Sequence, residues 1–118
     1  MGGKSMKVAF GGYGEKLVTF ETAEGVLAGM PVMMSANGTV APCAAGKAFC
    51  GAAVNVRDGF AAVQLAGYVR LPYTGTTPVV GYQTLAGDGA GKIKADAAGR
   101  SVLVVDVDAS AAVCGVIL

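Results

Sequence analysis

The chain has 118 residues, room for one domain; 53% of them are hydrophobic, only 14% carry charge, and the net charge is +1. These values exclude disorder driven by charge, and they exclude a nucleic-acid binder of the basic-patch kind. Glycine (19 residues) and alanine (21) dominate and tryptophan is absent, so the apolar fraction is built from small side chains.

The N-terminus, MGGKSMKVAF, lacks the long apolar core of a secretory signal. Met1–Ser5 reads equally well as a tag remnant, with Met6 as the natural start. The longest uncharged stretch, Gly25 to Gly46, is broken by Pro31, Asn37 and Pro42, so no membrane-spanning helix is expected. Gly or Pro interrupts nearly every window, and valine is the commonest large residue, which favours strands.

The first strand is Val18 to Thr22, with Val18 and Phe20 on one side and Thr19 and Glu21 toward water. Pro31 opens the next at an edge or entry position, and Asn37-Gly38 predicts a tight hairpin with positive φ at both central residues. Ala44 to Phe49 could carry one helical turn. Asp58-Gly59 is a second hairpin signal, set between VNV and FAAVQL. From Ala61 to Leu71 every odd position is small or apolar, which predicts one long strand bent at Gly67 and ended by Pro72. Gly91 to Asp96 and Ser101 to Asp108 read as two strands joined by a turn at Gly99. In the second, Leu103, Val105 and Val107 face one side, and Val102, Val104, Asp106 and Asp108 the other. Ala111 to Leu118 has no charge on either face, which predicts burial on both, in the barrel or against another subunit. Six to nine short antiparallel strands make an all-β fold, a small β-barrel or β-clip-like sandwich with at most one short helical turn.

Few residues promise chemistry. The absence of histidine removes Ser-His and Cys-His pairs and His-type zinc sites. Cys43, Cys50 and Cys114 are too few for a four-thiolate site and read as free thiols; a Cys43–Cys50 bridge is the alternative in an oxidising compartment. Cys43 itself reads as a buried small hydrophobe rather than a reactive thiol, with no base near it in sequence. Asp106 and Asp108 share a strand face, where they could hold a cation or do acid/base work, or simply line a solvated edge. Gly2–Ser5 and Gly87–Ile93 imitate phosphate-binding loops but lack required residues and read as turns. Asn37-Gly38-Thr39 is formally a glycosylation sequon, which the turn already explains. The Gly25–Pro42 region loosely resembles a biotinyl or lipoyl carrier hairpin, yet Met33-Met34-Ser35 stands where the modified lysine belongs. No catalytic residues, cofactor or metal are therefore expected.

A domain short of bulky and charged groups is an awkward monomer, and both shortages vanish if its surface is buried among copies. The composition points to a structural protein that works as an oligomer.

The sequence also carries a pattern: a strand, AGMPV, NGTV, GAA, the string VQLAGYVRLP over Val63–Pro72, Gly81-Tyr82, and a closing GVIL. In this it resembles the small phage head-decoration, or cement, proteins, similar in role to the lambdoid decoration proteins. The resemblance runs from about Val18 to Leu118. It implies a homotrimer on the outer face of an expanded capsid, with the chain itself and the major capsid protein as partners. Nucleic acid and membrane are not among the partners. The implied location is the virion exterior, reached from the bacterial cytoplasm during assembly. It further implies a flexible arm over residues 1–16, ordering on the capsid through Phe10 and Tyr13, and one β domain over 17–118; a frayed terminus is the plain alternative. Val113, Val116, Ile117 and Leu118 are the candidate subunit-interface residues. Alternatives are a head-fibre base or tail element, or a β-barrel enzyme with a site shared between subunits.

Overall fold

The computed structural model describes residues 14–118, and all the regular structure among them is strand, with no helix. Ten strands occur: β1 (Lys16–Thr22), β2 (Pro31–Ala36), β3 (Thr39–Pro42), β4 (Gly51–Arg57), β5 (Phe60–Ala66), β6 (Tyr68–Pro72), β7 (Gly81–Gly87), β8 (Ile93–Ala95), β9 (Arg100–Asp108) and β10 (Val113–Ile117). The protein is all-β, as the composition predicts. In the order β1, β3, β2, β4, β5 the first five strands close into a barrel. The others form a second sheet in the order β6, β10, β9, β7, β8. Two pairings depart from the antiparallel expectation: β1 and β3 meet in parallel at Glu21–Thr39 and Thr22–Val40, and Tyr73, just past β6, forms a parallel bridge with Ile93 of β8.

The two hairpin signals resolve differently. Asp58 (φ 51°) and Gly59 (φ 81°) both take the left-handed conformation, matching the right-handed twist of β4 and β5. At Asn37-Gly38 only Gly38 does so (φ 63°), and a bulge between Met34 and Ala36 absorbs the extra residue. Ala44 to Phe49, which could carry one helical turn, makes a single hydrogen-bonded turn, closed by Lys47 N–H on Ala44 O at 3.1 Å. Gly46 N–H then donates to Gly87 O, and Gly87 N–H to Lys47 O, each at 3.0 Å, which ties this loop to β7.

A five-stranded barrel is narrow, so small side chains fill its centre, and Phe20, Met30 and Leu65 pack against them partly buried. Val26, Val32, Val40, Ala53, Ala61 and Val63 fill that centre and are buried. A second cluster lies under the open sheet, where Leu71, Leu85, Ile93, Val102, Val104 and Val116 pack on Phe49 and Ala52. Arg100 ties the layers together: its guanidinium donates to Cys50 O at 3.1 Å and lies 5.6 Å from the centre of the Phe49 ring.

The run from Ala61 to Leu71 is two strands in two sheets rather than one bent strand. Gly67 (φ 91°) hands the chain from β5 in the barrel to β6 in the open sheet. The alternation survives the transfer but serves two cores: Ala61, Val63 and Leu65 belong to the barrel, Val69 and Leu71 to the second cluster. A corner at a sheet boundary strands carbonyls, and Gln64 meets that need. Only 4% exposed, its Nε2 donates to Ala66 O at 3.0 Å and to Tyr68 O at 2.8 Å.

Two further expectations are corrected in the open sheet. The strands around the Gly99 turn do not pair with each other, because β7 lies between them. The turn, closed by Gly99 N–H on Asp96 O at 3.0 Å, crosses the end of β7 so closely that a Cβ on Gly99 would overlap Leu85 O. In β9 a bulge at Val105 breaks the alternation, so Val102, Val104 and Val107 face the core and Leu103 and Val105 do not.

Replacing Gln64 with Leu leaves two carbonyls at the corner without their donor, at a cost of about 1–3 kcal/mol for each group that water cannot reach. The expected outcome for Gln64→Leu is a loss of roughly 2–4 kcal/mol in urea unfolding with an unchanged slope. A change within the ~0.5 kcal/mol typical of surface sites would remove Gln64 from this role.

Candidate interaction surface

Free sheet edges are the places where a β protein most readily meets another chain. The open sheet ends in β6 on one side and β8 on the other. β6 carries the exposed Arg70 and ends in Pro72, both features that discourage strand addition. β8 is three residues long and bears Lys94, 3.8 Å from Asp96. Brevity and charge guard it, and the chain just past β6 already meets it, Tyr73 bridging in parallel to Ile93 and Thr74 N–H donating to Ile93 O at 2.9 Å.

The third edge is of another kind. β8 pairs with β7 only from Leu85 to Gly87, so among the described residues no strand covers that side of β7 from Gly81 to Gln83. This stretch follows Val79 and Val80, which are 63% and 64% exposed, and includes Tyr82, which is 75% exposed. No ionised side chain occurs between Arg70 and Asp88. Its polar decoration is slight: Gln83 Nε2 turns back to Tyr82 O at 3.0 Å, and Asp96 N–H reaches Thr84 O at 3.2 Å. An uncharged, apolar and half-open edge can add a strand while burying an aromatic anchor.

The sequence reading missed these three residues, because GYQTLAG has no period-2 alternation and Pro78 and Gly81 disguise the strand start. The usable signal is the length of the run without charge.

The residues expected at a subunit interface fall elsewhere. Val116 is 0% exposed and belongs to the core cluster beside Val104, so it holds the fold together and presents no surface. Leu118 packs on the same cluster, and its N–H donates to Gly67 O at 3.0 Å. Val113 and Ile117 are half-buried. β10 sits between β6 and β9, which occupy both its edges, while Cys114 and Val116 turn into the core, so the expected burial on both faces is met fully on one face only. Phe10 and Tyr13 lie outside the described residues. Lys16, placed in the expected arm, already pairs with Ala66.

The residues considered for chemistry are engaged in structure. Asp106 Oδ2 accepts the Tyr68 hydroxyl at 2.9 Å, and the pair lies over Gly115, where a Cβ would stand 2.7 Å from that carboxylate oxygen. Burial first, then this hydrogen bond, raises the Tyr68 phenol above its ordinary value. Asp108 accepts from the Ser110 hydroxyl (2.7 Å) and Ala111 N–H (3.2 Å), which hold its carboxyl below the usual range. The three cysteines are free. Cys43 and Cys50 flank β2 from opposite sides, donating to Pro31 O and Val32 O, and they pack into different clusters. Burial raises the thiols of both, and Cys43, 2% exposed, donates its S–H to Lys47 O at 3.2 Å. In the Gly87–Ile93 loop, Asp88 Oδ1 accepts from Ala90 N–H (2.7 Å) and Lys92 N–H (2.9 Å), a turn as expected. The described residues contain no group of three or more acidic or cysteine side chains able to hold a metal.

No family model matches the chain, and no curated protein matches it significantly.

Burial and the nearby Asp106 charge push the Cys114 thiol from its ordinary 9.0 up to about 11. Its contribution is whole below pH 9.0 and is lost as pH climbs toward about 11, because in that window only the unfolded chain has given up the proton. Urea midpoints measured across this window should therefore fall steeply for the wild type and less steeply for Cys114→Ala. Equal slopes would show that the thiol does not govern the alkaline loss.

Proposed function

We propose that this chain is a structural phage or prophage protein that binds the outer surface of the capsid as a homotrimer and stabilises the head. The observation that carries the reading is the uncharged edge at Val79, Val80 and Tyr82. Fully burying a large apolar side chain is worth about 1.5–3 kcal/mol, and an extended partner strand adds backbone hydrogen bonds. The sequence resemblance to head-decoration proteins supplies the setting: the partners are two further copies of the chain and the major capsid protein. The virion exterior is the site of action, after assembly in the bacterial cytoplasm.

Cementing a shell requires no chemistry. Each trimer offers several weak contacts to a repeating lattice, and every contact made raises the effective concentration of the next. The engagement of Asp106, Asp108 and Cys43 in local structure supports this reading over an enzymatic one.

Native mass spectrometry of the full chain is expected to give three copies. Tyr82→Lys should weaken association roughly tenfold or more, as loss of an aromatic anchor does. Leu27→Lys, at a residue also exposed (65%) but outside the β7 edge, should leave it unchanged. Cosedimentation with expanded heads, built from a major capsid protein encoded beside this chain, should be saturable. A stable monomer that ignores such heads would overturn the proposal.

A further inference from the structure

The outer face of the barrel over β1, β5 and β4 holds an open cup of about 390 Å³. The strand register builds it. Thr19, Ala62 and Asn55 form one cross-strand row, and Glu21, Phe60 and Arg57 form the next. Ala62 is the small residue in the middle of the first row, so its missing bulk makes the depression. Thr19 and Asn55 wall it, and Phe60, 50% exposed, stands at one end. Arg57 and Asp58 complete the rim.

Two observations distinguish this cup from an ordinary dent. The side chains of Thr19, Asn55, Arg57 and Asp58 make no hydrogen bond or ion pair with other described residues, although they converge on one space. An aromatic ring of which half is exposed stands beside them without cover.

We propose that the cup binds a hexopyranose unit. A pyranose ring has an apolar face of C–H groups, which stacks on an aromatic ring, and a rim of hydroxyls, each both donor and acceptor. The cup offers that combination: Phe60 for the face, Arg57 as donor, Asp58 as acceptor, and Asn55 and Thr19 as both. A volume near the lower end of the ~300–1,000 Å³ range of ligand pockets suits one or two rings. An anionic ligand is disfavoured, because Asp58 and Glu21 outweigh Arg57 around Phe60. An added peptide strand is disfavoured as well, because β5 is paired on both sides here and leaves no backbone edge open. The inference does not depend on the trimer or on the capsid, since every residue it uses comes from one subunit.

The test is an amide-shift titration of the full chain with methyl glycosides of glucose, galactose, mannose and N-acetylglucosamine. At least one should bind with a dissociation constant in the millimolar range, with shifts at Thr19, Asn55, Arg57, Phe60 and Ala62. Phe60→Ala, at an exposed site, should lose that binding tenfold or more while its unfolding curve stays near wild type. Ala62→Leu should abolish binding by filling the floor. Equal affinity for a monosaccharide and its oligosaccharide marks a free sugar as the ligand, and a tenfold gain for the oligosaccharide marks a unit of a glycan chain. Absence of shifts with every glycoside at about 100 mM, shifts that survive Phe60→Ala, or saturable shifts with an extended peptide instead would overturn the proposal.

Discussion

The corner at Gly67 is the constraint on which the architecture rests. Before it the chain lines a barrel; after it the same alternation lines the floor of another sheet. A residue with a Cβ pays a steric penalty at φ 91°, so glycine makes the transfer without strain. Turning a chain between sheets also exposes carbonyls that neither ladder can use. Gln64 resolves this by sending its amide to Ala66 O and Tyr68 O from a buried position opposite Ala52. Tyr68, the first residue past the corner, then locks the new direction through its hydroxyl on Asp106, in space that only a glycine at 115 leaves open.

The narrow barrel changes the meaning of the composition. A surplus of Ala, Gly and Val suggests, from sequence alone, a core too thin for a subunit standing by itself. In the structure those side chains fill the centre of a narrow five-stranded barrel, with Val32, Val40, Ala53 and Val63 each at 0% exposure and Phe20, Met30 and Leu65 packed against them only partly buried. Small residues therefore suit the centre of this geometry. The case for self-association rests on the surface of β7, where large apolar groups stand uncovered.

Legibility followed the range of the interaction. The all-β class, the Asp58-Gly59 hairpin and the inward set of Ala61 to Leu71 depend on neighbours close in sequence, and they could be read there. The change of sheet at Gly67 could not, because glycine permits a kink and a crossing alike, and only distant partners decide between them. The bulge at Val105 likewise depends on the register with Gly115 and Val116. Position between partners also misled: the charge-free β10 resembled an interface strand, yet β6 and β9 occupy both its edges and Cys114 and Val116 turn into the core. Of the surface candidates, Val113, Ile117 and Leu118 were chosen for lacking charge, while Val79, Val80 and Tyr82 lack it too and stand in the open.

In a chain with so few charges, where they are placed is informative. Arg70 lies on one sheet edge and Lys94 on the other, each where an unwanted strand would otherwise add. The uncovered half of β7 has no such guard. The barrel face follows a different logic: its backbone is fully engaged in β5 pairing, and only side chains are on offer. Edge and cup thus call on different atoms, main-chain groups with apolar anchors in one and a ring with hydrogen-bonding side chains in the other. They also lie in different sheets, so the residues that would join copies are not those that would hold a sugar. A subunit of this size can then carry both contacts without either drawing on the groups of the other.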